Sequence, residues 1–475
     1  MLRELLSGSG GIDPSKLANA AGLPSDPASL AAIFSQLQQA MQRSEDEGID
    51  WSLALRQAEQ RASSGQRQVD ADETERLDRA VQVAALWLDE VVDVSALPTR
   101  PELLTRRAWA AATLPIWSQL AEPVALSIAD SLTRVMSEQA PEEMRAMVQG
   151  ASRMMRGIGG AMFAMQLGQV VGQLSTEVVS GGDVGVPLLE DRAALLPQNI
   201  AEFGAGLDIR ADQVELYLAV RELAHARLFR HARWLRLHLI TAITAFARGI
   251  DVDVERLEEL AEGFDPSNTD ELRDAVANGA LLRAKSPEQE AALGRLETVL
   301  ALVEGWVDVV TADATERLPK SDAVAETIRR RRATGGPAES ALATLVGLEL
   351  RPRRLRDAAA MWRAVTEAVG VAERDALWSH PDLLPTAADL DDPAPLAARL
   401  AAGGHAAGEA DAEFDQALEA LLRGEAGPTA DGSETGGPET GGAETGGPDG
   451  ASNESADDGS DDDDRGPSGG GRGSD

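Results

Sequence analysis

From Asp212 to Ala247 the chain runs without a glycine or proline, and Gly249 then offers a stop. A stretch of that length is too long for a strand and spans many helical turns. It predicts one long helix over 212–247, or two helices joined near Trp234. Apolar residues make up 43% of the 475 residues but aromatics only 3%. Ala, Leu and Val must therefore fill the interior, and Ala and Leu are strong helix formers. The expected fold is mainly α.

The helical period recurs along most of the sequence. Helices are predicted over 26–43, from Asp50, and from Asp72 to about Val92. The last of these opens on a capping box made by Asp72 and Glu75. Pro98 and Pro101 interrupt the pattern, and separate helices are expected after them at 101–112, 115–138 and 142–178. Further helices are expected just after Pro197, at 252–262, 268–278 and 287–315, from Pro319 to Arg329–Arg332, and at 337–349, 352–369 and 409–422. Weak β alternation touches 184–189 and 346–351. Gly168 and Gly172 lie one turn apart in an apolar segment, as they would where two helices cross closely. Ser180 to Pro187 reads as a loop. From Gly424 onward, repeated Glu-Thr-Gly-Gly units and the acid run Asp461–Asp464 can bury no apolar area. The organisation expected is a helical N-terminal region (1–95), a core (96–350), a helical C-terminal region (351–423) and a disordered acidic tail (424–475).

Net charge is −35 at pH 7. Phosphate binding needs a basic face, so nucleic acid is excluded as a partner. No stretch of about 18 apolar residues predicts a membrane span. With no cysteine in the chain, disulfides and thiolate metal ligands are ruled out, and a reducing cytoplasm is expected. The N-terminus lacks the apolar core of a secretory signal.

The chemistry concentrates in Arg221-Glu222-Leu223-Ala224-His225. It differs by one residue from His-Glu-x-x-His, in which two imidazoles four apart on a helix grip Zn²⁺ and the glutamate acts on metal-bound water. Here Arg221 holds the first ligand position. A guanidinium has only donors and a permanent charge, so it cannot ligate a metal. His231 and His238 share the segment, but a straight helix points the first away and places the second about 20 Å along the axis. The basic run Arg329–Arg332 is expected to cap a helix end and pair with acidic surface. Trp306, Trp362 and Trp378 are expected as core anchors.

An ordered set of segments carries a family resemblance. It comprises Thr113-Leu114-Pro115-Ile116-Trp117, Glu122-Pro123-Val124, Gly160 to Gln166, Asp183 to Leu188, Leu196-Pro197-Gln198-Asn199-Ile200, Arg221 to Phe229, Trp234-Leu235-Arg236, Glu304-Gly305-Trp306-Val307-Asp308, Val346 to Pro352 and Arg374-Asp375-Ala376-Leu377-Trp378. Together they resemble the actinobacterial zincin-like metallopeptidases, often described only as hydrolases, in the branch with Arg-Glu-x-x-His. The resemblance implies a multi-helix zincin-like core with Glu222 and Arg221 as catalytic groups. It implies His225 and Glu304 as metal ligands, zinc as cofactor, and a peptide or protein as substrate. Asp308, one turn after Glu304, and Glu222 itself are further candidate ligands. The alternative is an inactive zincin-fold scaffold in which Arg221, paired with Glu304 or Glu222, replaces the metal.

Overall fold

In the computed structural model the described residues are 49–139, 145–250, 285–333 and 352–403, and all lie within one compact unit, Met1–Asp411. The expected helices at 26–43, 252–262, 268–278, 337–349 and 409–422, the 346–351 stretch and the acidic tail lie outside them.

The described residues are mainly helical. In chain order they form α1 (Ser52–Ala62), α2 (Ala71–Asp89), β1 (Glu102–Leu103), α3 (Arg106–Gln139), α4 (Arg145–Leu174), β2 (Ala194–Leu195), α5 (Pro197–Gly204), α6 (Ala211–His231), α7 (Trp234–Ala247), α8 (Pro287–Ala314), α9 (Ser321–Ala333), α10 (Pro352–Ala376) and α11 (Ala387–Asp391). β1 and β2 pair in parallel, Glu102 with Ala194 and Leu103 with Leu195. No described helix is long and apolar enough to cross a membrane.

The 212–247 segment is two helices that part beside Trp234, whose Nε1 donates to the Trp378 carbonyl at 2.9 Å. That bond, reaching more than a hundred residues along the chain, fixes the break. Four expectations fail. The helix expected from 101 starts only at Arg106, and Glu102–Leu103 form β1 instead. α2 is capped two residues earlier than Asp72, by Asp70, whose carboxylate accepts from the Glu73 N–H. Pro115 does not divide α3, which passes through both Pro115 and Pro123. An internal proline costs about 3 kcal/mol; burial of Trp109, Ile116, Trp117 and Leu120 offsets it, since each large apolar side chain contributes about 1.5–3 kcal/mol. Residues 184–189 form turns rather than strand. α10 bends at Gly370 (φ +83°), a backbone state that glycine alone adopts readily, close to where the sequence pattern stops.

Helix crossings set the frame. A Cβ on Gly168 would lie 2.4 Å from the Ala54 carbonyl oxygen, and one on Gly172 2.6 Å from Arg61 Cβ, so α4 and α1 meet backbone to backbone as predicted. α6 packs between α2 and α8, and α8 against α10. The fully buried Trp306, Trp362 and Trp378 anchor that side: Trp306 Nε1 donates to Asp375 at 2.8 Å and Trp362 Nε1 to the Leu302 carbonyl at 2.9 Å. This fixes the rotation of α8 and turns Glu304 towards α6.

Candidate functional site

α6 and α8 bring Arg221, Glu222, His225 and Glu304 together in the interior. Their exposures are 5%, 1%, 0% and 5%. Arg221 and His225, four apart, present to one face of α6, which is why both reach the same carboxylate.

Glu304 sits at the centre. Its Oε2 accepts from Arg221 Nη2 at 2.5 Å. Its Oε1 lies 3.1 Å from His225 Nε2. Arg332, from the end of α9, completes the ring: Nη1 is 2.8 Å from Oε2 and Nη2 2.9 Å from Oε1. That is a two-pronged guanidinium–carboxylate pair, the strongest geometry such groups adopt. Burial pushes the Glu304 carboxyl up, but Arg332, Arg221 and His225 together outweigh it and hold the group well below the usual carboxylate range.

His225 Nδ1 lies 3.1 Å from the Arg221 carbonyl oxygen. Both neighbours of the ring are therefore oxygens, and a neutral imidazole can donate to only one of them. Burial lowers its pKa; Glu304 opposes that shift, and Arg221 and Arg332 reinforce it.

Glu222 is held differently. Its Oε2 accepts from the Gly182 N–H at 2.7 Å and its Oε1 from the Ala194 N–H at 2.8 Å. Burial raises its pKa to about 7, against the donors of Ala194, Ser180 and Gly182. The side chain thus ties α6 to the 180–195 loop.

That loop closes the site. A Cβ on Gly182 would lie 2.4 Å from His225 Cβ, and one on Gly185 (φ +76°) 2.6 Å from Glu304 Oε1. Backbone rests directly on the site side chains, and only glycine fits. The loop is itself tied down. Asp183 accepts from the Val179 N–H at 3.0 Å and lies 3.5 Å from Arg331, while Arg332 Nη2 reaches the Asp183 carbonyl oxygen at 2.8 Å. Below it, Asn199 donates to the Ser175 carbonyl at 2.9 Å and accepts from Arg106 Nε at 2.6 Å. This gives the Leu196–Ile200 segment its structural role.

Several sequence candidates fall elsewhere. Asp308 is turned to Arg329 (3.1 Å) and Arg363 (3.8 Å), so it offers Glu304 no help as a ligand. His231 is exposed, and His238 meets Trp234 edge to face, with ring centroids 5.6 Å apart and ring planes at 87°. Arg332, expected on the surface, is instead part of the site. Nothing in the local pattern Arg329–Arg332 marks which of the four turns inward. A cavity of about 240 Å³, lined by Asp78, Leu97, Pro98, Leu223 and Arg227 among others, lies against the opposite face of α6, since residues 223 and 227 sit roughly half a turn round from 221.

Catalytic zinc takes three protein ligands and a water. Here His225 and Glu304 are the available pair, the third position is a guanidinium, and a second guanidinium already occupies both oxygens of Glu304. Among the described residues no three His, Cys, Asp or Glu side chains are grouped to hold a metal ion. This donor set does not fit zinc.

The family pattern described as zincin-like metallopeptidase matches residues 49–396. A solved structure from Chloroflexus aurantiacus, described as a candidate hydrolase with a novel fold, superposes with a TM-score of 0.50 at 22% identity, over 74% of this chain and 98% of that one. The likeness is one of fold. Among curated proteins nothing matches.

Proposed function

Since this chain belongs to the zincin-like metallopeptidase family, with residues 49–396 matched, we propose that it is a member in which arginine has taken the place of the metal. It serves as a non-catalytic scaffold that binds a peptide or protein partner. The observation that carries this reading is the Glu304 carboxylate, held by the Arg332 fork, by Arg221 and by His225. A buried carboxylate needs compensating charge, and guanidinium supplies it without an ion. Glu222 supports the same reading, since it is only 1% exposed and its two oxygens accept backbone N–H groups that tie it to the 180–195 loop.

The test is metal content and hydrolysis. Protein purified without added zinc is expected to carry under about 0.1 equivalent, to melt at the same temperature with and without EDTA, and to leave a peptide library uncut. One equivalent of zinc that disappears in His225→Ala would overturn the proposal.

A second reading, a zinc-dependent peptidase, is favoured by the His225 ring. Its Nδ1 faces a backbone carbonyl and its Nε2 points into the site, the arrangement that orients a ligating imidazole. In that reading His225 and Glu304 are ligands, Glu222 the base and Arg221 an electrostatic group. It requires both guanidinia to leave Glu304.

A further inference from the structure

We propose that Arg332, more than Arg221, is the residue that closes this site to divalent cations. The inference rests on the scaffold reading above and names what enforces it. Arg221 meets one oxygen of Glu304 through one nitrogen, and its buried Nε finds no partner among the described residues. Arg332 meets both oxygens through two nitrogens, at 2.8 and 2.9 Å, and is itself only 11% exposed. The same Nη2 reaches the Asp183 carbonyl at 2.8 Å. One side chain thus joins three elements: α9, which carries it; α8, which carries Glu304; and the glycine loop lying on His225. A metal approaching Glu304 must displace this fork and loosen the loop together. Restoring the missing imidazole at position 221 leaves that obstacle untouched.

The consequence is that the one-residue departure from His-Glu-x-x-His is not the whole of the change. Arg221→His alone supplies a third nitrogen or oxygen donor beside His225 and Glu304, yet the carboxylate stays engaged. Removing the fork as well frees it. Breaking a buried charge pair shifts equilibria by a few kcal/mol, so metal affinity is expected to differ on the order of a hundredfold between the two states.

The experiment uses the full chain in four forms: wild type, Arg221→His, Arg332→Gln and Arg221→His/Arg332→Gln. Glutamine retains a donor for the Asp183 carbonyl. Co²⁺ and Zn²⁺ alone are the probes. Stoichiometry is read by equilibrium dialysis, and coordination by the visible absorption of bound Co²⁺. The double variant is expected to bind about one equivalent with a four-coordinate cobalt spectrum, about a hundredfold tighter than Arg221→His. Should the double variant not fold, Arg221→His/Arg332→Lys takes its place. It substitutes a point charge for the fork and is expected to bind more tightly than Arg221→His, though less than tenfold. The proposal fails if Arg221→His binds within threefold of the double variant. It also fails if the folded double variant binds no metal; the scaffold reading survives in both cases. One equivalent of zinc in the wild type sinks the scaffold reading first.

Discussion

Two buried carboxylates less than one helix diameter from His225 illustrate two ways of placing a negative charge in a protein interior. Glu222 is met by backbone N–H groups of the 180–195 loop; Glu304 is met by full cations from α6 and α9. Burial pushes both upward. Neutral donors do not overcome it, and Glu222 rises to about 7. Cations do, and Glu304 falls. The difference teaches that a carboxylate's neighbours, not its depth, decide whether it keeps its charge. On the scaffold reading proposed above, the positive charge at this site is supplied by arginine. It sits on side chains that are part of the fold.

The comparison can be broken most forcefully at Glu304. Glu304→Gln would leave two guanidinia buried around a neutral amide, and an unpaired buried charge costs about 3–5 kcal/mol. Urea denaturation should register that loss; a change under about 1 kcal/mol would show that the arginines have other compensation.

Next comes pH. Glu222 has a folded value of about 7 against an ordinary 4.5, so the folded state holds its proton more tightly. Its contribution is fully present below pH 4.5 and is lost as pH rises through 7. At 1.36 kcal/mol per unit the loss is about 3 kcal/mol. His225 slopes the other way: its lowered value gives stability that is present above the ordinary imidazole range and lost on acidification. The stability difference between wild type and Glu222→Gln cancels the His225 slope. That difference should fall by about 3 kcal/mol between pH 4.5 and 7.5. A flat difference would mean that the three donors keep Glu222 ionised throughout.

Gly182→Ala sharpens the comparison from the loop side. The added methyl meets His225 Cβ, and overpacking of this kind costs about 1–3 kcal/mol. Thermal melts should show it, with Glu222's backbone bonds strained in consequence. The smallest effect is expected for Arg329→Ala, three residues before Arg332. Its pair with Asp308 is partly exposed, and such pairs are worth about 0–1 kcal/mol. If Arg329→Ala proved as costly as Arg332→Ala, the whole arginine run, rather than one inward member, would hold the site.

The helical content was legible because it is a local property. Spacing of apolar residues, the glycine-free run and alanine-rich composition each act within a few turns. The Gly168–Gly172 crossing followed from that reading too, and the α6–α7 break was one of the two outcomes it left open. Where local signals misled, burial and competing local bonds decided the outcome: α3 runs through Pro115 with Trp109 and Trp117 buried on either side of it, and Asp70 caps α2 in place of Asp72 in a segment where Arg67 also grips Glu73.

The sequence by itself determined that a helix would carry Arg221, Glu222 and His225 on neighbouring faces, and that the first of them could not ligate a metal. Only the tertiary structure decided what each would touch. Glu222 found backbone donors forty and twenty-eight residues upstream, at Gly182 and Ala194. Glu304 found Arg332 rather than Arg329 or Arg331. The physical reason is range. Helical periodicity is written in neighbours three and four apart, whereas charge pairing in the interior depends on which elements pack together. Four consecutive arginines look alike until a fold turns one of them inward.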